Sequence, residues 1–264
     1  MKKISVIMAV HNGQPYLIDA IDSILKQTWK NIEFIIVDDA SSDETSKIIS
    51  SYEDKRIRYI RNLKHHGLTS SLNIAIALAT GEYIARMDAD DIALPNKLAI
   101  QEKILEDNPQ IAMVGSGAEL IDKKGLKIGV RRYPESYEAI IKEIVKYNPF
   151  IHPSVIIKKN VLDDIGYYDK SLDGAEDYDL FLRISKKHAV RNLPDILLRY
   201  RISKENISWR KIKKIEAASL RTRIKAISNY GYPKWQIIYL IKPILAFMVP
   251  AKIKQFFLSH IYRI

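Results

Sequence analysis

The chain has no cysteine among its 264 residues. Disulfides and thiolate metal sites are excluded, and a reducing compartment fits. Its 10 glycines nowhere form G-x-x-x-x-G-K or G-x-G-x-x-G, so there is no nest of backbone amides for phosphates and a bound diphosphate would need a metal to neutralise it. No segment reaches the roughly 18 uninterrupted apolar residues of a membrane span. The nearest, Trp235–Pro250, is broken by Lys242-Pro243. Acid is almost missing from the end of the chain. From Arg201 to Arg263 there are 14 Lys/Arg against two acids, Glu205 and Glu216, so the net charge of +11 sits there and the first 200 residues are near neutral. Such asymmetry indicates two jobs.

What is present reads as one sizeable core with an appendage. Met1-Lys2-Lys3 ahead of Ile4–Val10 has the start of a secretion signal. The apolar run stops at His11-Asn12-Gly13 without a small-residue cleavage site, so it is expected to be a buried first strand. Further strands are expected at 32–37, ending in Asp38-Asp39, at 57–60, and at 82–87, ending in Asp88-Ala89-Asp90-Asp91. Between them, Leu17, Ala20, Ile21, Ile24 and Leu25 recur at helical spacing after Pro15. Ser41 and Glu44 have capping-box spacing for a helix to about Tyr52. Leu68 to Ala79 predicts a helix with Gly81 as its stop, and Pro95 opens another. The middle is less regular, with strands at 111–115 and 155–157 and a helix over 177–187. This β-α-β alternation predicts an α/β fold, a mostly parallel sheet covered on both faces. Ligands bind such sheets beyond the carboxyl ends of the strands, where both acidic clusters fall.

Asp88, Asp90 and Asp91 put three carboxylates into four residues, which repel unless a cation is shared. Hard cations such as Mg²⁺ or Mn²⁺ take oxygen ligands and bridge carboxylates to substrate phosphates; the bland alternative is a solvated acidic turn. Asp38 and Asp39 can accept hydrogen bonds from a nucleobase or ribose, or merely belong to helix capping. Glu176-Asp177 with Asp179 opens a helix, where the dipole favours ionised carboxylates. One of them in a cleft can take a proton from a hydroxyl; plain N-terminal charge preference is the competing account. His65-His66-Gly67 and His152-Pro153-Ser154 suit either phosphate or acceptor contacts, or ordinary loop roles.

Taken together, these pieces resemble glycosyltransferase family 2, with the nucleotide-sugar-binding fold called GT-A. The resemblance runs in order from Val6–Gly13, through Ser23–Thr28, Ile36–Asp43, Leu72-Asn73, Gly81–Asp91 and His152–Ser154, to Glu176–Leu180, and covers about residues 3–205. It implies that Ala9, Asn12 and Asp39 line the nucleobase and ribose pocket, with Asp38 in support. Asp88 and Asp90 match the D-x-D motif: the first meets ribose or metal and the second holds Mn²⁺ or Mg²⁺ on the diphosphate. Asp177 matches the base of an inverting transfer, with Glu176 beside it, while His152 and Arg201 are candidates for acceptor or diphosphate contacts. The implied donor is a nucleotide-sugar, by default a UDP-sugar because of Asp39, and the acceptor a saccharide or lipid-linked saccharide of bacterial surface polysaccharide synthesis. Departures are His11, where relatives often carry Tyr; His65-His66-Gly67, where an Asn-x-Gly is common; and Ser203, where many have His. The Q-x-x-R-W motif of processive synthases and their membrane spans are missing, which implies single-sugar addition.

The expected division is a catalytic domain over 1–205 and a basic helical extension over 206–264. The extension mixes Lys/Arg with Trp209, Trp235, Tyr239, Phe247, Phe256 and Phe257. Such a stretch can lie in the headgroup layer of an anionic membrane surface, which places the protein in the cytoplasm, peripheral to the inner face. Packing on the first domain is the structural alternative. Nucleic acid is not expected, because no binding motif is present and the charge lies outside the acidic cleft. Two other functions compete. Another metal-dependent nucleotide enzyme, such as a sugar nucleotidyltransferase, would carry a Gly-rich, Lys/Arg-containing loop after the first strand. A non-catalytic membrane-binding protein would need none of the acids.

Overall fold

The computed structural model describes residues 2–202, 212–250 and 253–254. Its strands are β1 (Ile4–Val10), β2 (Ile32–Asp38), β3 (Ile57–Arg61), β4 (Tyr83–Arg86), β5 (Ile92–Ala93), β6 (Ile111–Ile121), β7 (Lys127–Arg131), β8 (Ile156–Lys158) and β9 (Ala189–Arg201). The helices are α1 (Leu17–Leu25), α2 (Thr45–Ser50), α3 (Leu68–Leu78), α4 (Lys97–Asp107), α5 (Tyr137–Glu143), α6 (Lys159–Ile165), α7 (Glu176–Lys187), α8 (Ile212–Ser228) and α9 (Ile241–Met248). One sheet runs in the order β3-β2-β1-β4-β8-β6-β9-β5, with β7 paired to β6. It is parallel from β3 to β4. It becomes antiparallel on both sides of β8 and parallel again between β6 and β9. The parallel half is the part that the β-α-β alternation foretold.

Strand alternation divides the core. Ile4, Val6, Met8 and Val10 of β1, with Phe34 and Ile36 of β2, pack toward α1 and α4. Ile7 and Ala9, with Ile35 and Val37, pack toward α3, α7 and α8. Every residue of β1 is buried, as an apolar strand covered on both faces requires.

Two local expectations are corrected. Gly81 does not stop α3, which ends in extended backbone at Ala79. A Cβ at Gly81 would lie 2.7 Å from the carbonyl oxygen of Lys3 and from the Ser5 nitrogen. Gly81 is there so that the chain can press against the start of β1, and its N–H donates to Ser5 Oγ at 2.8 Å. The Ser41/Glu44 capping box also does not form. Glu44 is the N-cap residue, with no side-chain capping bond. Asp43 Oδ1 instead accepts from Thr45 N at 3.0 Å, while Ser41 Oγ and Thr45 Oγ1 turn outward to accept the N–H groups of Asn12 and Gly13, both at 2.9 Å. The residues that should cap α2 therefore fasten the loop after β1.

The expected boundary at 205/206, with Ser203 and Trp209, falls outside the described residues, as do Phe256 and Phe257. Where the extension is described, its first part packs closely. Ala218, Thr222, Ala226 and Tyr232 are buried. Lys225 bonds Asp169 at 2.7 Å, Tyr230 OH donates to Asp179 at 2.5 Å, and Arg223 reaches the carbonyls of Val145 and Lys146. Beyond it the surface changes. In the 3-10 turn Lys234–Leu240 and in α9, Trp235, Ile237, Ile241 and Leu245 are each 59% exposed and Met248 75%. Within α9, positions 241, 245 and 248 share one helical face. Among the described residues no helix is long and apolar enough to cross a membrane.

Candidate active site

The acidic loop follows β4, beside β1, and β2 lies on the other side of β1. Their carboxyl ends share one edge. Ligand oxygens of Asp88, Asp90 and Asp91 lie within 4.8 Å of one another. An ideal Cβ on Gly13 would lie 3.6 Å from the Ala89 side chain, so this loop rests against the loop that follows β1. Burial first, then the charge of Asp88, pushes the Asp90 carboxyl up to about 7. Burial also drives Asp91 well above the ordinary range, with Asp90 and Asp88 adding to it. Asp91 Oδ1 accepts the N–H of Arg201 at 2.8 Å, while its buried Oδ2 has no hydrogen-bond partner. Three crowded carboxylates with one orphaned oxygen are a donor set that suits a hard divalent cation.

Two cations brace the loop from behind, and neither had a role in the sequence reading. Arg86, buried at the end of β4, pairs with Asp88 through its guanidinium. Lys97, fully buried in α4, donates to the carbonyls of Arg86 at 3.2 Å and Pro153 at 2.9 Å. It thereby ties the acidic loop to the His152–Ser154 turn. The signal was available: Lys97 and Gln101 fall in phase with buried Leu98 and Leu105 on α4, an odd place for polar residues without partners. Arg201 also proves to be a buried brace. Its Nε donates to the Asp90 carbonyl at 2.8 Å, Nη1 donates to the Asp122 carbonyl at 2.9 Å, and the guanidinium lies 4.1 Å from the centre of the Tyr16 ring.

At the end of β2, Asp38 is buried and held by Ser41 N at 2.8 Å and Tyr59 OH at 3.0 Å. Asp39 accepts from Asn62 Nδ2 at 2.7 Å, His66 N at 2.9 Å and Gly67 N at 2.7 Å, and faces His65 Nδ1 at 2.9 Å. Burial alone would raise its carboxyl, but these bonds overcome that and hold it below its ordinary value. The unusual His65-His66-Gly67 segment is therefore a cradle for Asp39. His11 completes it, lying against His65 with ring centroids 4.3 Å apart and planes tilted by 44°, and contacting the Asp39 carbonyl at 2.8 Å. Both adjoining turns hold non-glycine residues in left-handed backbone, Asn12 at φ 55° and Ala40 at φ 58°. Asn tolerates that conformation, whereas Ala sits there at a cost of ~1–2 kcal/mol. The Asn12 side chain accepts from Ser42 N at 2.8 Å, which links the two turns. Ala9 is buried at the end of β1.

Asp177 stands in the first turn of α7, partly buried. Its carboxylate accepts from Tyr178 N at 2.7 Å and Asn148 Nδ2 at 2.9 Å. Burial pushes it up to about 6, these two bonds oppose the rise, and the charge of Asp88 adds to it. That dependence puts Asp177 within electrostatic reach of the acidic loop. Glu176 is more buried, bonds Gly174 N at 2.7 Å, and is raised to about 7 by burial and then by Asp177. His152 shares a 2.8 Å hydrogen bond with Tyr168 OH, and burial lowers its pKa well below the usual histidine value. A neutral ring locked to Tyr168 supports the cleft wall. Asn62, Asn148 and Tyr168 had no local sequence signal, since only the fold brings the first two to the acids and the third to His152.

A model of glycosyl transferase family 2 matches residues 5–166. The O-antigen biosynthesis glycosyltransferase WbnJ of Escherichia coli is 37% identical over 227 residues, 83% of this chain and 87% of WbnJ. Staphylococcus aureus TarS 1–349 in complex with UDP-GlcNAc superposes with a TM-score of 0.72 at 19% identity, covering 92% of this chain and 71% of that one. The mannosyltransferase PcManGT of Pyrobaculum calidifontis, in complex with GDP-Man and Mn²⁺, gives a TM-score of 0.63 at 18% identity, over 98% and 79%. A mixed sheet flanked by helices, with acids gathered along its carboxyl edge, defines a GT-A enzyme. The chain belongs to glycosyltransferase family 2 and is a glycosyltransferase, which sets aside the nucleotidyltransferase and non-catalytic readings.

Proposed function

We propose that this enzyme transfers one sugar, with inversion, from a nucleotide-sugar to a hydroxyl of a saccharide or lipid-linked saccharide, in surface polysaccharide assembly at an anionic membrane surface. The observation that carries the reading is the cluster of Asp88, Asp90 and Asp91 oxygens within 4.8 Å, at the same sheet edge as Asp39 and within electrostatic reach of Asp177. Asp88 and Asp90 would hold Mn²⁺ or Mg²⁺, with Asp91 as their buried support. When bound, the ion supplies Lewis-acid stabilisation for charge on the departing nucleoside diphosphate.

The remaining work falls to side chains. Asp39, fixed by its cradle, offers a rigid anionic edge for a nucleobase N–H, which suits uracil and supports UDP as the nucleotide. Asn12 and Ala9 would wall that pocket. Asp177 takes the proton from the acceptor hydroxyl as its oxygen attacks the anomeric carbon from the face opposite the leaving group. A base near 6 is ionised at neutral pH yet more basic than an exposed aspartate. Glu176 supports it electrostatically, and Arg201 and Lys97 keep the acidic loop in place. Holding both substrates in one cleft supplies much of the acceleration.

Membrane attachment is supported by the apolar face of residues 235–248, flanked by Lys234 and Lys242. Apolar rows bordered by lysines suit the headgroup layer, where each basic residue contributes on the order of 1 kcal/mol.

The test is a panel of nucleotide-sugars assayed for Mn²⁺- or Mg²⁺-dependent hydrolysis. At least one UDP-sugar should turn over in the wild type and none in Asp90→Ala. Metal-independent turnover, or full activity in the variant, refutes the assignment.

A further inference from the structure

We propose that the cavity at the amino end of α3 is a phosphate-binding subsite and, resting on the transferase reading above, that it receives a phosphate carried by the acceptor. The cavity has a volume of about 390 Å³, within the range of small-ligand pockets. Its walls come from the start of α3 at Gly67 and Thr69, from the turn before Asp177 at Lys170 and Asp173, and from α8 at Lys214 and Arg221.

Several independent features select an anion. α3 runs for 11 residues from Leu68 with Gly67 as its N-cap residue; the Asp39 carboxylate takes the N–H groups of His66 and Gly67 ahead of it, and no side chain caps those of its first turn. An uncapped amino terminus combines oriented donors with a positive dipole end. Thr69, only 3% exposed, lines the cavity, and its Oγ1 has no hydrogen-bond partner. A buried hydroxyl in that condition is a donor awaiting an acceptor. Around it stand three cations. Lys214 is engaged by Asp173, while Lys170 and Arg221 have no ion-pair partner among the described residues. With Asp173 as the one carboxylate in the lining, the balance is positive. Donors at the base and a guanidinium at the rim match a phosphate.

Position assigns that phosphate to the acceptor. None of Asp88, Asp90 and Asp91, which would serve the donor diphosphate, lines the cavity. Asp173 precedes the base by four residues, and its charge is felt at Glu176. α8, which forms one wall, also supports the apolar strip: Lys213, next to Lys214, donates to the Val249 carbonyl at 2.6 Å. α8 thus joins a wall of the cavity to the segment proposed to meet a membrane.

The experiment is a ³¹P NMR titration of inorganic phosphate into the metal-free full-length protein. The wild type should show saturable binding. Thr69→Val, which removes only the hydroxyl, and the exposed-site change Arg221→Gln should each weaken it about tenfold. Asp90→Ala should bind phosphate as the wild type does, so the subsite and the catalytic assignment fail separately. A second arm identifies the source of the phosphate with phosphatidylcholine vesicles, with and without phosphatidic acid. If the two pocket variants lose the phosphatidic-acid increment, the phosphate is a lipid's; if the increment persists while inorganic phosphate binding falls, it is a soluble group. Absence of saturable binding in the wild type, or unchanged binding in both variants, overturns the proposal.

Discussion

At the scale of single residues, the assigned base has a measurable signature. Asp177 is raised to about 6 by burial, and as the proposed base it would act only when ionised. Transfer should therefore hold at neutral pH and fall as pH drops through about 6. Asn148 stabilises the ionised form through its 2.9 Å bond, so Asn148→Ala should move that acidic limb upward by about one pH unit. Asp177→Asn should bind donor normally and lose transfer. A pH–rate profile combined with donor titration checks all three, and an unmoved limb in Asn148→Ala would mean that the base lies elsewhere. Glu176, raised to about 7 by burial and by Asp177, shares the same proton uptake. Its removal should lower the midpoint.

At the scale of elements, close approach matters more than propensity. Gly81→Ala would drive a Cβ to within 2.7 Å of β1 backbone atoms. Backbone cannot step aside as a side chain can, so we expect a loss of ~1–3 kcal/mol, read from the denaturant midpoint. A wild-type midpoint would mean that the edge can relax. The same glycine shows what one sequence can and cannot reveal. The first four strands were legible because β1 and β2 are continuous apolar runs, β2 and β4 run into acid, and helical spacing separates one strand from the next. The strands expected at 111–115 and 155–157 match β6 and β8, but three residues of β8 carry no sign of antiparallel pairing, and the long β9, interrupted by Pro194, shows no strand period and was not expected. Within the site the anionic residues were legible, because clustered like charges need a reason. The residues that hold them were not. Asn62 and Asn148 lie 23 and 29 positions from the aspartates they bond, Asp39 for the first and Asp177 for the second, and folding alone makes them neighbours. His65 and His66 looked like candidate ligands, yet they work by presenting a ring and an N–H to Asp39.

For the whole molecule, the uneven charge and the exposed apolar strip belong together. Cutting the chain at 206 would also remove Ala226 and Tyr232 from the core, so membrane attachment is better tested on the surface. Ile237→Ser, Ile241→Ser and Leu245→Ser combined should leave thermal stability and turnover of a soluble acceptor unchanged while abolishing sedimentation with anionic vesicles. Retained sedimentation would refute docking through this face.

α8 is riveted to α7 by Lys225 and Tyr230, both reaching Asp179, two residues past Asp177. An enzyme resting on residues 235–248 would consequently carry its proton acceptor at a set height above the bilayer. The scaffold would then act as a gauge, admitting hydroxyls that project to that level and passing over identical ones held nearer the lipid or farther out.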